Sequence, residues 1–286
     1  MGHHRRFLSA VVLCITLSLS LSGRQFELPL HSGSVRFAAI GDMGTGTQPQ
    51  YDVASRMVES HKQFPFDFVI TLGDNIYGGN NPADYKRKFE QPYSMLLNDG
   101  VKFYASLGNH DNAATQKAYK PFNMNGQQYY TYRKGNVQFY ALDSNYLDPK
   151  EIDWLKKELQ NSNADWKICY FHHPLYSSAK FHGPSLELRA ILEPLFIVNH
   201  VQVVFTGHEH VYERLKPQNG IYYFIEGAAG ELRPGDLKKT TQTAAGFDTD
   251  NSFLLVEISG DELDFQAISR TGKTVDYGSI MRPKIK

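Results

Sequence analysis

The sequence predicts an α/β sandwich in which alternating strand–helix units come first and strands dominate the C-terminal half. Five apolar runs, rich in β-branched and aromatic residues, each end at a glycine or a His-His-Pro cluster, a pattern typical of buried strands. Stretches with helical spacing of apolar residues separate these runs, and further strand-like runs follow Gly220. The sequence shows no internal repeat and no Pro/Gly/Ser-rich linker, which indicates a single domain.

The predicted elements alternate along the chain. Five strands that each precede a polar cluster cover residues 35–40, 66–72, 101–107, 166–171 and 201–206. The helices cover residues 51–62, 82–97, 149–160 and 184–199, residues 128–142 predict a hairpin with its turn near 134–136, and the C-terminal strands cover 221–226, 253–258 and 263–269. The third helix has Ile152, Leu155 and Leu159 at helical spacing and Pro149 in its first turn, where proline is tolerated.

The N-terminal residues predict a cleavable signal peptide. Arg5 and Arg6 precede an apolar stretch over residues 7–21, and residues 20–22 form a small-residue cleavage site before Gly23. The stretch has about 15 residues, fewer than the ~20 of a spanning helix, so cleavage is favoured over a retained membrane anchor. We therefore expect a signal peptide over residues 1–22, one catalytic domain over 23–286, and a secreted protein, periplasmic or extracellular.

Composition narrows the possible functions. The 30 basic residues balance 30 acidic ones, so the chain has no net positive field for nucleic acid or an anionic membrane. Cleavage of the signal peptide would remove Cys14 and leave Cys169 alone, so no internal disulfide is expected. The sequence makes no prediction of oligomeric state.

Polar clusters follow these five strands at their carboxyl ends, where the ligand crevice of an α/β sheet lies. They are Gly41-Asp42, Gly73-Asp74-Asn75, Gly108-Asn109-His110-Asp111, His172-His173-Pro174 and Gly207-His208-Glu209-His210. Taken singly, most of these clusters are explained by a turn or a capped strand end. Together they form a set of carboxylate, amide and imidazole ligands that suits iron, manganese or zinc better than calcium or magnesium. A packing role would instead bury several polar groups without partners.

The order of these motifs resembles that of the calcineurin-like metallophosphoesterases. The segment Gly73-Asp74-Asn75-Ile76-Tyr77 and residues 207–214 are similar to the purple acid phosphatase version, of the short, single-domain type. The resemblance implies a four-layer metallophosphoesterase sandwich of two mixed β-sheets flanked by helices.

The resemblance also implies a site of two metal ions. The Fe(III) ligands would be Asp42, Tyr77, His210 and a bridging Asp74, and the ligands of a second divalent metal (Fe, Zn or Mn) would be Asp74, Asn109, His172 and His208. His110 and His182 would face the phosphate or protonate the leaving group, and Asp111 would orient the ring of His110. The alternatives are that Tyr77 is a packing aromatic and that His182 is a loop residue without a catalytic role.

The expected function is an acid phosphatase that hydrolyses small phosphate monoesters with a metal-bound hydroxide at acid pH. One alternative keeps a Mn/Zn/Fe centre but makes the enzyme a phosphodiesterase, nucleotidase or pyrophosphatase. Another is a secreted binding protein that keeps the fold without the activity.

Overall fold

Two mixed β-sheets packed face to face form the centre of the molecule. In the computed structural model, which describes residues 28–238 and 240–283, thirteen strands divide into a six-stranded and a seven-stranded sheet. The predicted signal peptide lies outside these residues. Helices cover the outer faces, so the predicted four-layer α/β sandwich is confirmed.

The first sheet has the strand order β13-β12-β11-β1-β2-β3. β1, β2 and β3 run parallel, and β11, β12 and β13 extend the sheet from β1 by antiparallel pairing. The bounds are β1 Val35–Ile40, β2 Phe68–Leu72, β3 Lys102–Ser106, β11 Ser252–Ser259, β12 Glu262–Ser269 and β13 Thr274–Met281.

The second sheet has the strand order β10-β8-β9-β7-β6-β5-β4. β5, β6, β7 and β9 run parallel, whereas β4, β8 and β10 are antiparallel to their neighbours. The bounds are β4 Tyr130–Lys134, β5 Val137–Ala141, β6 Trp166–Tyr170, β7 Val203–Thr206, β8 Tyr212–Leu215, β9 Tyr222–Glu226 and β10 Thr243–Phe247.

The main core lies between the sheets and is rich in aromatic residues. The ring of Phe37 on β1 stacks on Phe68 of β2, with 5.3 Å between centroids. It also meets Phe139 and Phe205 of the other sheet edge-on, at 5.3 and 5.9 Å. Aromatic pairs in these geometries contribute about 0.5–1.5 kcal/mol beyond their buried area, so the interlocking rings help to fix how the sheets stack.

Helices bury the opposite faces of the sheets because strand side chains alternate between two sides. Leu155 and Leu159 of one helix and Leu192 and Phe196 of another share a second apolar cluster with Cys169 of β6. The longer helices are α1 Gln48–Gln63, α5 Pro149–Asn161 and α6 Leu186–Val198. Among the described residues, no helix combines the length and apolar character needed to cross a bilayer.

The predicted single helix over residues 82–97 is wrong. This region contains α2 Pro82–Tyr85, a π-helical turn Lys86–Glu90 and α3 Ser94–Asn98. Lys88 in the π-helical turn is buried, and its ammonium group lies 2.9 Å from Asp84 and donates to the carbonyl of Tyr77. A buried charge needs such partners, and these contacts hold the turn against the loop that carries Tyr77.

Three strands, one short helix and a short 3₁₀ turn were not predicted. β8 and β13 carry charged residues that obscure the strand pattern, but these charges find partners: Arg214 pairs with Asp276 at 2.7 Å across the two sheets. β10 is a five-residue strand with a glycine, and α4 Ala113–Gln116 and the 3₁₀ turn Lys120–Phe122 are too short to show a periodicity. The carboxyl ends of the parallel strands nevertheless converge as expected.

Glu151 at the start of α5 leads to a first prediction, on pH-dependent stability. It is buried, accepts the backbone N–H of Asp143 at 2.8 Å, and burial raises its pKa from 4.5 to about 8. Below about pH 4.5 the carboxyl is protonated in both folded and unfolded chains. As pH rises from there, the unfolded chain loses the proton first. The contribution of this group to the free energy of unfolding therefore falls with rising pH and levels off above about pH 8.

Glu151→Gln keeps an acceptor for Asp143 and cannot ionise. We expect the free energy of unfolding of the variant to match the wild type near pH 4.5 and to exceed it on the order of 2 kcal/mol at pH 8, measured by urea denaturation in the presence of a chelator. Glu187→Gln, at an exposed position of α6, is the control. Parallel pH profiles for Glu151→Gln and the wild type would contradict the prediction.

Candidate metal centre

Three of the polar residues at the strand ends have an unusual backbone conformation. Asp42 after β1, Asp74 after β2 and His208 after β7 have φ angles of 54°, 52° and 69°, in the left-handed region that non-glycine residues rarely adopt. Such strain persists where the surrounding structure fixes it and is concentrated at functional sites. The turns direct all three residues toward the same edge of the two sheets.

One half of the cluster contains carboxylate, phenol and imidazole groups. The hydroxyl of Tyr77 donates to Asp42 Oδ1 at 3.1 Å. His210 Nε2 lies 3.3 Å from the same oxygen and 3.4 Å from the Tyr77 hydroxyl. Three different donor types thus lie close enough together to share one cation.

The other half contains an amide and two imidazoles. His172 Nε2 lies 2.9 Å from Asn109 Oδ1 and 3.1 Å from His208 Nδ1. His172 Nδ1 donates to the carbonyl of Leu72 at 2.8 Å, which leaves Nε2 free of hydrogen and able to bind a metal.

Asp74 connects the two halves. Its Oδ1 lies 3.6 Å from His172 Nε2, and it accepts the backbone N–H of His110 at 2.9 Å. Ligand atoms of Asp42, Asp74 and His172 all lie within 4.8 Å of one another. The seven residues that the sequence suggested as metal ligands are therefore brought to one place.

The electrostatics of the cluster fit a cation. Burial, followed by the charge of Asp74, holds the pKa of Asp42 well above its usual range, and burial also raises that of Asp74. Burial and neighbouring histidines lower the pKa of His172 and His208. Packed acids and neutral imidazoles are unfavourable by themselves, whereas positive charge between them would stabilise the ionised carboxylates. The donor set fits iron, zinc or manganese.

Two glycines allow the loops to approach this closely. A Cβ at Gly108 would overlap the carboxylate and backbone N–H of Asp74, and one at Gly207 would come within 2.5 Å of Asp42 Oδ2. Glycine is required here because any side chain would displace a candidate ligand.

His110 and His182 lie at the rim of the cluster. The ring of His110 lies 5.0 Å from that of Tyr77, centroid to centroid. The ring of His182 stacks on that of His208, at 4.1 Å and an angle of 23°. Both rings are partly exposed and lie against candidate metal ligands.

Asp111 is placed differently from the expectation that it orients the ring of His110. Its two oxygens accept hydrogen bonds from the loops on either side, and none of the described bonds involves that ring. The donors are the backbone N–H groups of Asn75, Ile76 and Gly108 and the side-chain amides of Asn75 and Gln116. Burial, followed by Asp74, raises the pKa of Asp111 to about 7. These contacts give it a role in holding the loops after β2 and β3 together.

Sequence reasoning missed two residues near the cluster. Glu209, between the two histidines of the last motif, is fully buried, and its Oε2 lies 3.7 Å from His182 Nδ1. Ser144, in the loop after β5, has its hydroxyl 2.9 Å from His173 Nδ1. A carboxylate inside a metal-binding motif could have indicated Glu209, but nothing in the sequence indicated Ser144.

Comparison with known proteins connects this site to one family. The model of the calcineurin-like phosphoesterase family matches residues 35–212, more than half of the chain. Tartrate-resistant acid phosphatase type 5 of Mus musculus is 26% identical over 299 residues, which cover 87% of this chain and 91% of that protein. Purple acid phosphatase 4 of Arabidopsis thaliana is 26% identical over 274 residues, covering 82% and 80%.

Solved structures share the fold. The GAP50 anchor of the inner membrane complex of Plasmodium matches with a TM-score of 0.78 and 22% identity, covering 88% of this chain and 90% of that one. Purple acid phosphatase PPD1 from yellow lupin (Lupinus luteus) matches with a TM-score of 0.74 and 18% identity, covering 90% and 55%.

Proposed function

The chain belongs to the calcineurin-like phosphoesterase family, and from this membership we propose that it is a secreted acid phosphatase that hydrolyses small phosphate monoesters at a dinuclear metal site. The proposal includes a signal peptide over residues 1–22 and a single catalytic domain over residues 23–286. The names of the similar acid phosphatases support the acid pH range.

The observation that most supports the proposal is the position of the Tyr77 phenol, 3.1 Å from Asp42 and 3.4 Å from His210 Nε2. A phenol in hydrogen-bonding contact with a carboxylate and an imidazole is a donor combination suited to a hard trivalent ion. We propose that Asp42, Tyr77, His210 and Asp74 hold Fe(III). A second divalent ion, Fe, Zn or Mn, would be held by the residues of the other half, Asp74, Asn109, His172 and His208.

When bound, the two ions supply positive charge for the phosphate oxygens and a water of lowered pKa as the attacking group. Asp74 keeps the two halves together, and the hydrogen bond from His172 to Leu72 fixes that imidazole in one orientation. His110 and His182 orient the phosphate from the rim of the site. As the bond from phosphorus to the leaving oxygen breaks, the imidazolium of His182 transfers a proton to that oxygen, keeps the electron pair of its N–H bond and becomes a neutral imidazole.

The function is tested by loading the purified protein with iron and zinc and assaying matched esters. We expect kcat/KM for 4-nitrophenyl phosphate to exceed that for bis(4-nitrophenyl) phosphate by at least about tenfold. The reason is that a fully ionised monoester carries one more negative charge on its phosphate oxygens than a diester does, and the metal site is positive.

Protein treated with chelator is the control, and its activity should fall to background and return when metal is added back. A strong preference for the diester would identify the alternative function, a phosphodiesterase. Metal-replete protein inactive on both esters would reject the proposal.

A further inference from the structure

The loop that carries His182 is held by contacts with residues 233–236, outside the candidate metal ligands. Lys180 donates its backbone N–H to the carbonyl of Asp236 at 3.0 Å and to Asp236 Oδ1 at 3.1 Å. The guanidinium of Arg233 lies 3.8 Å from the ring centroid of Phe181, in cation–π geometry. These contacts hold the backbone of the loop and do not involve the imidazole of His182.

Glu209 is the side chain placed to control that imidazole. Its Oε1 accepts the backbone N–H of Gly183 at 2.5 Å, which anchors the carboxylate beneath the loop. Its Oε2 is buried and has no hydrogen-bond partner in the part of the chain that the structure describes. The nearest basic nitrogen recorded for that oxygen is His182 Nδ1, at 3.7 Å. A small rotation of the imidazole would turn this separation into a hydrogen bond.

The other face of the imidazole is also constrained. His182 stacks on His208 at 4.1 Å, and Phe181 meets it edge-on at 4.5 Å. Stacking fixes the plane of the ring but does not distinguish its two nitrogens. The carboxylate of Glu209 does, because its Oε2 can accept a hydrogen bond only from the nitrogen that faces it.

We propose that Glu209 is a positioning residue that accepts a hydrogen bond from the Nδ1–H of His182 and so presents the opposite side of the ring, the Nε2–H of the imidazolium, to the leaving group of the substrate. This inference rests on the proposed function and adds a residue to it. Loss of a carboxylate that orients a histidine commonly lowers activity 10–100-fold around metal sites. Under this assignment the carboxylate has two roles, since Oε1 anchors the loop at Gly183 and Oε2 faces the imidazole of His182.

The test compares Glu209→Gln with Glu213→Gln on two phosphate monoesters. Glutamine at 209 keeps an acceptor for Gly183 but presents an N–H group to His182. Glu213 is a matched control because it is also buried and also anchors this region, through the backbone N–H of Ser178 at 2.9 Å, without a recorded contact to His182. Both variants are loaded with metal as the wild type is.

We expect Glu209→Gln to lower kcat about 10- to 100-fold on an alkyl phosphate, whose leaving group needs a proton. On 4-nitrophenyl phosphate, whose leaving group departs without a proton, the loss of kcat should be less than about threefold. KM should change little on either substrate, and Glu213→Gln should affect the two substrates equally.

Equal losses from Glu209→Gln on both substrates, or a loss that persists in a His182→Ala background, would overturn the proposal. A wild type inactive on both substrates would instead reject the proposed function.

A second measurement does not depend on activity. In protein loaded with zinc alone, long-range ¹H–¹⁵N spectra report which nitrogen of His182 carries the proton. We expect the neutral ring of the wild type to carry its proton on Nδ1, so that the proton to be transferred is the one taken up at Nε2, and we expect this preference to be lost in Glu209→Gln. An Nε2–H tautomer in the wild type would overturn the inference even if the variant failed to fold.

Discussion

Replacing Asp74 with asparagine is expected to lower kcat/KM for a phosphate monoester by about three orders of magnitude and to reduce the bound metal from two ions per chain to one or none. The substitution preserves the shape of the side chain and the acceptor for the N–H of His110, at 2.9 Å from Oδ1. It removes the negative charge that both halves of the site would share. A loss of about 4 kcal/mol of transition-state stabilisation corresponds to this change in rate.

The same substitution should have the opposite effect on the metal-free fold. Asp74 is buried, and burial raises its pKa, so the ionised carboxylate is unfavourable there when no cation accompanies it. We therefore expect the free energy of unfolding of the metal-free variant to equal or exceed that of the wild type, by about 1 kcal/mol. Metal content is measured by elemental analysis, activity by steady-state kinetics and stability by urea denaturation in chelator.

Asp264→Asn is the matched control for Asp74→Asn. Asp264 is also a buried carboxylate, on β12, where it is paired with the hydroxyl of Ser279. We expect this variant to keep two metal ions and wild-type activity even if its stability falls. Two bound ions and near-wild-type turnover in Asp74→Asn would show that the carboxylate is not shared.

The positions of the candidate ligands could be predicted from sequence because they depend on one strong regularity. A buried parallel strand ends at the same edge as its neighbours, which brings Asp42 after β1 beside Asp74 after β2 in one sheet, and His172 after β6 beside His208 after β7 in the other. Glycines such as Gly108 mark the loops that must pass close to a ligand, and they are visible in the sequence. The strand ends and the donor types therefore followed from local patterns, whereas the stacking of two sheets was implied by the family resemblance.

The features that could not be predicted depend on contacts between distant segments. The break in the helix predicted over residues 82–97 coincides with Lys88, whose buried ammonium pairs with Asp84 and reaches Tyr77 in the loop after β2. Asp111 follows Asn109 and His110 directly, which suggested a role beside that histidine, yet its carboxylate turns toward the backbone of the neighbouring loop. Hydrogen-bond partners of this kind leave no periodic trace in a sequence.

Glu209 shows a related limit of sequence reasoning. The segment from Gly207 to His210 forms a bend, with φ 69° at His208, so the direction of the side chain between the two histidines does not follow from strand alternation. The loop after β6 passes beside this bend and brings His182 Nδ1 to 3.7 Å from the carboxylate of Glu209. The contacts of a residue that is not itself a candidate ligand therefore become visible only in the folded chain.

Tyr77→Phe is expected to abolish the visible absorption of the iron-loaded protein and to lower kcat/KM about 10- to 100-fold. In the metal-free fold, burial and the carboxylates of Asp42 and Asp74 raise the pKa of Tyr77 far above its ordinary value of 10, so the side chain is a neutral phenol. Only a strongly attracting cation would hold it as a phenolate, and charge transfer from phenolate to Fe(III) produces a visible band. Loss of the hydroxyl should remove that band entirely while the ring remains in place beside His110, 5.0 Å away.

Tyr85→Phe separates the effect of a ligand from that of any buried tyrosine. Tyr85 lies on the nearby helix α2, is buried, and bonds to Thr115 rather than to a candidate ligand. Iron-loaded Tyr85→Phe should keep the colour and activity of the wild type, with iron content measured in each sample.

If iron-loaded Tyr77→Phe keeps the visible band, Tyr77 is a packing residue, and the case for Fe(III) over two divalent ions fails. If the wild type binds no iron and is active with zinc or manganese alone, the site is the divalent centre of a related phosphoesterase, because the phenol would then have no ion hard enough to displace its proton.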